Sequence, residues 1–236
     1  MAIVRTAVLL VPISCAVVLF GCAGNSLSPD APAGVNLAGN WKLDPAASDD
    51  PQKVLARMRA QAARLIARRQ AAPPPLPDRR RGARSGQQEE ESPVDEEPAA
   101  GASGGVPPDP LRRSPMAHVV LAVVARGDFL TVSQSAAQVV LDYGTSRRSF
   151  TPGARSVVSA EGGVGDQVSG WEGREYVIHI RAQQGPDISD RYGLSADGRE
   201  LIEKMHIGAA ELPAEDLTRV YRPTSEVAPR MLPTND

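Results

Sequence analysis

The chain has 236 residues, 26 Lys and Arg against 28 Asp and Glu, and only 4% aromatic residues. Both cysteines, Cys15 and Cys22, lie in the first two dozen positions. That leaves the body of the chain no internal disulfide and no thiolate for a zinc site.

Met1 to Thr6 carries one positive charge, Arg5, and Ala7 to Phe20 is apolar except for Ser14. The run is shorter than the roughly 20 apolar residues a spanning helix needs, so it reads as a secretory signal. It ends Leu19-Phe20-Gly21-Cys22, which resembles the lipobox of bacterial lipoproteins. The resemblance implies a signal peptide over 1–21 and acylation of Cys22 as a membrane anchor. Ala23 after the Cys resembles an outer-membrane sorting signal, which implies the periplasmic face of the outer membrane. Several acyl chains, each burying methylenes at ~0.8 kcal/mol, make such an anchor effectively permanent. Residues 22–36, rich in Ser, Pro, Gly and Ala, read as a flexible tether.

Residues 37–44 alternate: Leu37, Gly39, Trp41 and Leu43 share one face, Asn40, Lys42 and Asp44 the other. Trp41 reads as a core aromatic. Gly39-x-Trp41 resembles the opening of lipocalin-like (calycin) barrels. Gly-x-Trp-Lys-Leu-Asp with Ser48, the turn Ser195-Ala196-Asp197-Gly198 and the ending Val220-Tyr221-Arg222 resemble a group of secreted bacterial proteins of unassigned activity. The resemblance implies a lipocalin-like β-barrel domain over 37–44 and 117–223, with first and last strands adjoining and Arg222 or Arg219 covering the ring of Trp41.

Ser48-Asp49-Asp50-Pro51 is a helix start, and Val54, Leu55, Met58, Ala62, Leu65 and Ile66 follow at helical spacing. Lys53, Arg57, Arg59, Arg64, Arg68 and Arg69 are basic, with no acid between Gln52 and Gln70. The inserted helix 48–70 is thus basic and amphipathic. Its 51–70 face either meets an anionic lipid or an acidic protein partner, or is a solvated face on a helix laid across a barrel mouth. Residues 71–116 are dense in Pro, with a basic block at Arg79-Arg80-Arg81 and an acidic one at Glu89-Glu90-Glu91. The segment has too little apolar surface to offset chain entropy and reads as a disordered linker. Its basic block has no interleaved aromatics, so it is no nucleic-acid site.

His118 to Ala125, apolar throughout, reads as a strand buried on both faces or covered by the helix. Strands follow at 129–134 and 139–142, weaker ones at 149–151 and 156–160, then 167–171, 176–181, 188–194, 201–207 and 217–222. Gly162, Gly163 and Gly165 read as a loop and match no phosphate cradle. Residues 224–236 read as a flexible tail. The set predicts a mainly β fold, an antiparallel up-and-down meander closing into a barrel, with an open or half-closed sheet under the helix as the alternative.

Candidate chemistry is sparse. His118, His179 and His206 lack further metal ligands, and no cofactor is implied. Asp187, Asp190 and Glu203 read as outward carboxylates that blunt edge pairing. No Gly-x-Ser-x-Gly elbow or Ser-x-x-Lys is present, so an enzyme is not expected. The inner face reads as apolar, with no convergent polar set. Two functions remain: a structural or interaction module anchored to the outer membrane, or a carrier of a small apolar or lipid ligand inside the barrel. An interior packed by Trp41, Leu43, Tyr176, Ile178, Tyr192 and Leu194 argues for the first.

Overall fold

The computed structural model describes residues 27–71, 108–160 and 163–226. The signal segment 1–21, Cys22, linker residues 72–107 and tail residues 227–236 lie outside the described residues. Among the described residues ten strands form one antiparallel sheet: β1 Gly39–Leu43, β2 Phe129–Gln134, β3 Val139–Asp142, β4 Arg147–Phe150, β5 Arg155–Ala160, β6 Gly163–Glu172, β7 Glu175–Ala182, β8 Asp187–Leu194, β9 Leu201–Gly208 and β10 Glu215–Pro223. The expected meander is there, and first and last strands adjoin through Lys42↔Arg222 and Leu43↔Tyr221. The ladder is interrupted between β4 and β5, the two edges of the sheet. Side chains span that gap: Arg148 Nη2 donates to Gln167 Oε1 at 3.0 Å, and Gln167 Nε2 donates to Ser156 Oγ at 3.1 Å.

Strand parity decides what the curled sheet encloses. Tyr176, Ile178 and Ile180 on β7, Leu201 on β9 and Tyr221 on β10 turn inward to one apolar cluster with Trp41, Leu130, Leu141, Phe150 and Trp171. The expected turn at 195–198 links β8 to β9. Ser195 Oγ donates to Asp197 Oδ1, and Gly198 takes φ +72°, where a side chain would strain.

Two helices cover one mouth of this sheet. α1 (Pro51–Ala71) starts where the sequence places it: Asp50 Oδ1 accepts from Gln52 N at 2.9 Å as an N-cap. Ser48 and Asp49 strap that start to β10, accepting from Val220 N and Thr218 N. α2 is Pro115–Ala125. The expected strand at His118–Ala125 is therefore a helix. Ser114 caps it by accepting from Ala117 N, and Pro115 fills the first turn, where its missing N–H costs nothing. Val54, Leu55, Met58 and Ala62 of α1 and Met116, Val119, Val120 and Val123 of α2 pack on Met205, Ile207 and Leu217 of the sheet. The end of the expected linker belongs to this lid, since Leu111 is buried and Asp109 pairs with Arg59 at 3.0 Å.

At the opposite end the described part of the expected tether is built into the fold. Ser28 bridges to Trp171 of β6. Gln134 of β2 accepts from Leu37 N at 2.8 Å and donates to Val35 O at 3.1 Å. Residues 27–37 thus run from β6 to β2 and bury Leu27, Val35 and Leu37. The first tail residues are held too: Thr224 N donates to Asn40 O, and Lys42 pairs with Glu226. If residues 27–37 form this end of the core, Leu27→Ala lowers stability by about 2–4 kcal/mol, as large-to-small core changes do. Urea unfolding monitored by Trp fluorescence measures it, and an unchanged midpoint would return the segment to a tether.

Candidate functional site

The inner face holds a charged layer that the sequence reading placed outside. On β9, Leu201, Glu203, Met205 and Ile207 share one parity, and on β10 Glu215, Leu217, Arg219 and Tyr221 do. Asp190 on β8 shares the inner face with Tyr192. Asp190 is 2% exposed and Glu203 has no exposure, so neither solvates the outside. Asp187 alone of the three is exposed, pairing with Arg181 at 3.2 Å.

Glu203 is the hub. Its Oε1 accepts from Arg126 Nη1 and, at 3.1 Å, from Tyr192 Oη. Its Oε2 accepts from Tyr221 Oη at 2.8 Å and lies 3.9 Å from Arg219 Nη1. Arg126 is the C-cap of α2, and its guanidinium also lies 3.5 Å from Asp190 Oδ2 and over the Tyr143 ring at 5.0 Å. Tyr192 Oη also lies 2.7 Å from Asp190 Oδ2, so its one proton is shared between the two carboxyls, and it shares a 2.7 Å bond with Tyr143 Oη. Arg219 donates from Nη2 to Gly127 O at 2.6 Å, tying β10 to the turn after α2.

The electrostatics follow from burial. Removal from water, then the Glu203 charge, push the Asp190 carboxyl up to about 7, against the pull of Arg126 and the Tyr192 hydrogen bond. Burial, then Glu203, likewise raise the Tyr143 phenol. Burial opposes the Arg126 charge, but the surrounding phenols and carboxylates outweigh it and hold the guanidinium protonated. Among the described residues no group of three or more His, Cys, Asp or Glu is placed to hold a metal ion.

The expected cover of Trp41 is arranged differently. Trp41 points inward, and its indole N–H donates to Leu37 O at 3.1 Å. Arg222 has the opposite parity; it is exposed and pairs with Asp44 at 2.7 Å and Glu200 at 3.5 Å. Arg219 points inward but stacks on Tyr221, 5.2 Å from the ring centroid. Among the described residues the other cation–ring contacts are Lys42 on Phe129, Arg126 on Tyr143 and Arg148 on Phe150.

The six basic residues of α1 all remain exposed. Arg57 pairs with Glu215 at 2.9 Å and Arg59 with Asp109. Lys53, Arg57, Arg64 and Arg68 recur at i, i+4, i+11 and i+15, so they line one stripe along the helix. Arg69 lies off this stripe, at a cleft of about 240 Å3 between α1 and the 110–114 and 211–212 segments. A larger cleft of about 480 Å3 opens on the outer face of the sheet, where Val168, His179, Ser189 and His206 face one another across β6 to β9. There Asp216 orients His206 through a 2.7 Å bond to Nδ1, and burial followed by Arg191 lowers the His179 pKa.

No protein-family model matches the chain, and no curated protein matches it in sequence. Its path is similar to those of solved β-barrel proteins. The lipid binding protein 8 of Caenorhabditis elegans is 10% identical with a TM-score of 0.44, covering 81% of this chain and 100% of its own. The REP1-NXSQ fatty acid transporter is 11% identical with a TM-score of 0.40, covering 81% and 98%. A secretory abundant heat soluble protein of Ramazzottius varieornatus is 16% identical with a TM-score of 0.31, covering 41% and 68%.

The charged layer makes a pH prediction. Between about pH 4 and about pH 7 folded Asp190 holds a proton that the unfolded carboxyl releases, so this contribution is full below that window and lost as pH rises through it. The urea midpoint should fall over this range, and Asp190→Asn should flatten the fall. Glu203→Gln takes the shared counter-charge from Arg126 and the buried Arg219 and should cost about 3 kcal/mol or more near neutral pH. Equal pH slopes for parent and Asp190→Asn would rule out the assignment.

Proposed function

We propose that this protein is a non-enzymatic lipoprotein anchored through Cys22 at the periplasmic face of the outer membrane. Its filled barrel is a scaffold, and the basic stripe of α1 is its contact surface for an anionic partner. The observation that carries this reading is the stripe itself. Lys53, Arg64 and Arg68 are exposed and have no acidic partner among the described residues, while the opposite side of α1 is committed to the barrel mouth. Three cations of the row without counter-charges cost the isolated helix stability, and an anionic surface relieves that cost.

The carrier reading needs room on the inner face. Trp41, Tyr176, Ile178 and Tyr192 are buried there in one cluster, with Leu43 and Leu194 packed against it. The Glu203 layer takes the centre, so an apolar ligand would have to displace both aromatics and buried ion pairs.

Two measurements test the proposal. Cys22→Ser should move the protein from the membrane fraction to the soluble fraction; retention with the membrane would place the anchor elsewhere. For the stripe, the chain from Ala23 onward should float with anionic vesicles and not with neutral ones. Replacing Lys53, Arg64 and Arg68 by Gln should weaken that binding by about 3 kcal/mol, roughly a hundredfold in Kd, at ~1 kcal/mol per basic residue. Salt should weaken it further. Equal binding by parent and variant would leave α1 as a cover alone.

A further inference from the structure

We propose that residues 27–37 orient the barrel on its membrane, holding the helical end away from the anchoring leaflet. The α1 stripe then serves an acidic partner in the compartment beyond, not the headgroups of its own bilayer. The proposal rests on the Cys22 anchor and adds a direction to it.

The docking of the segment is specific. Ser28 N donates to Trp171 O at 2.9 Å, and Trp171 N donates to Ser28 O at 2.8 Å. The pairing of β5 with β6 reaches Arg155↔Val168, so Ser28 continues that edge of β6 as an added strand. The fit demands glycine at position 170: a Cβ there would lie 2.7 Å from Ser28 O and 2.8 Å from Leu27 Cβ. Pro29 packs on Gly153, whose N–H donates to Ser169 O at 2.7 Å. The segment then crosses to β2, with Leu27 and Val35 buried.

Chain length converts docking into orientation. Five peptide units separate Cys22 from Leu27, a reach of at most about 18 Å when fully extended. Trp171 lies eight residues along β6 from Gly163, about 26 Å at strand rise. Gly165 pairs with Ala182, and across the 183–186 turn Asp187 pairs with Gly208, so Gly163 marks the end where β9 finishes. Ile207 and Glu215, on which the helices stand, are paired at that same end. The anchor therefore holds one end of the barrel and the stripe occupies the other.

The ladders and core contacts described above fall within residues 27–226, so the mature chain from Cys22 keeps them. Couple that chain through the Cys22 thiol to a maleimide lipid in vesicles carrying an acceptor dye. Place a donor dye on an azide-bearing residue substituted for Asp197, in the turn at the Trp171 end of the strands, or for Ala67, on the exposed side of α1. Energy transfer to the membrane should be greater from 197 than from 67, in neutral and in anionic vesicles alike. Gly170→Ala, which forces residues 27–28 off β6, should abolish the difference. Ser28→Pro removes the N–H given to Trp171 and reaches the same state should Gly170→Ala fold poorly. Equal transfer from the two positions in the parent, or greater transfer from 67, overturns the orientation and returns the stripe to its own bilayer. The thiol link replaces cellular acylation, so failure of Cys22 to be acylated in cells would sink the anchor without touching this result.

Discussion

A carboxylate with no exposure sits in the middle of the inner face, and the architecture is arranged around it. Glu203 is approached by Arg126 from the end of α2, Tyr192 from β8, and Tyr221 and Arg219 from β10. A buried charge is costly in itself, and only close partners with good hydrogen bonds offset the cost. The helical lid supplies one of these partners, Arg126. It is fastened to the sheet by apolar packing at its base and also by a charge that must stay neutralised. The layer divides the interior in two. Along β9, Leu201 belongs to the aromatic cluster, Glu203 to the charged layer, and Met205 and Ile207 to the helix-covered cluster. Along β10 the same order runs Tyr221, Arg219, Leu217. A slip of one residue in either strand would put charge against Trp41 or under Met58, so the layer fixes register as well as position.

Much of the sheet was legible because period-two alternation is a direct image of a half-buried strand. β7, β8 and β9 follow from Tyr176, Ile178 and Ile180 and their continuations. The charged layer was legible by the same rule and was missed through a competing one. Leu201, Met205 and Ile207 assign an inner parity, and Glu203 shares it. The general preference of carboxylates for water argued the other way. In an unbroken strand parity wins, because only a bulge can re-aim one side chain. Reading parity strictly would have brought Asp190, Glu203 and Arg219 together.

The error at 118–125 has a different source. Val119 to Val124 is apolar without interruption, and such a run carries no period. The deciding signal lay upstream, in Ser114-Pro115, a cap followed by the residue best suited to a first helical turn. Residues 27–36 were unreadable in another sense. Their composition is that of a linker, and what orders them is a pair of backbone hydrogen bonds to Trp171 and a clearance over Gly170. These, like the Gln134 bonds to Val35 and Leu37, depend on partners far along the chain. The expected pairing of Trp41 with an arginine was set by the resemblance. The register overrides it, since Arg222 is opposite Lys42 and turns outward with it.

These features together determine where function can reside. The inner face is bounded at one end by helices, at the other by residues 27–37, and is lined between by aromatics and ion pairs. The outer surface keeps its options, and the basic stripe is its most one-sided feature. That stripe is possible only because α1 spends its apolar side on Met205, Ile207 and Leu217, which leaves the remaining arc free to carry charge. Two basic residues of α1, Arg57 of the stripe with Glu215 and Arg59 off it with Asp109, pair with β10 and the 109–114 segment and hold the helix in place. The cations that remain are carried on a helix fixed by packing, which suits the contact surface proposed above, because a row set in advance loses less entropy on binding.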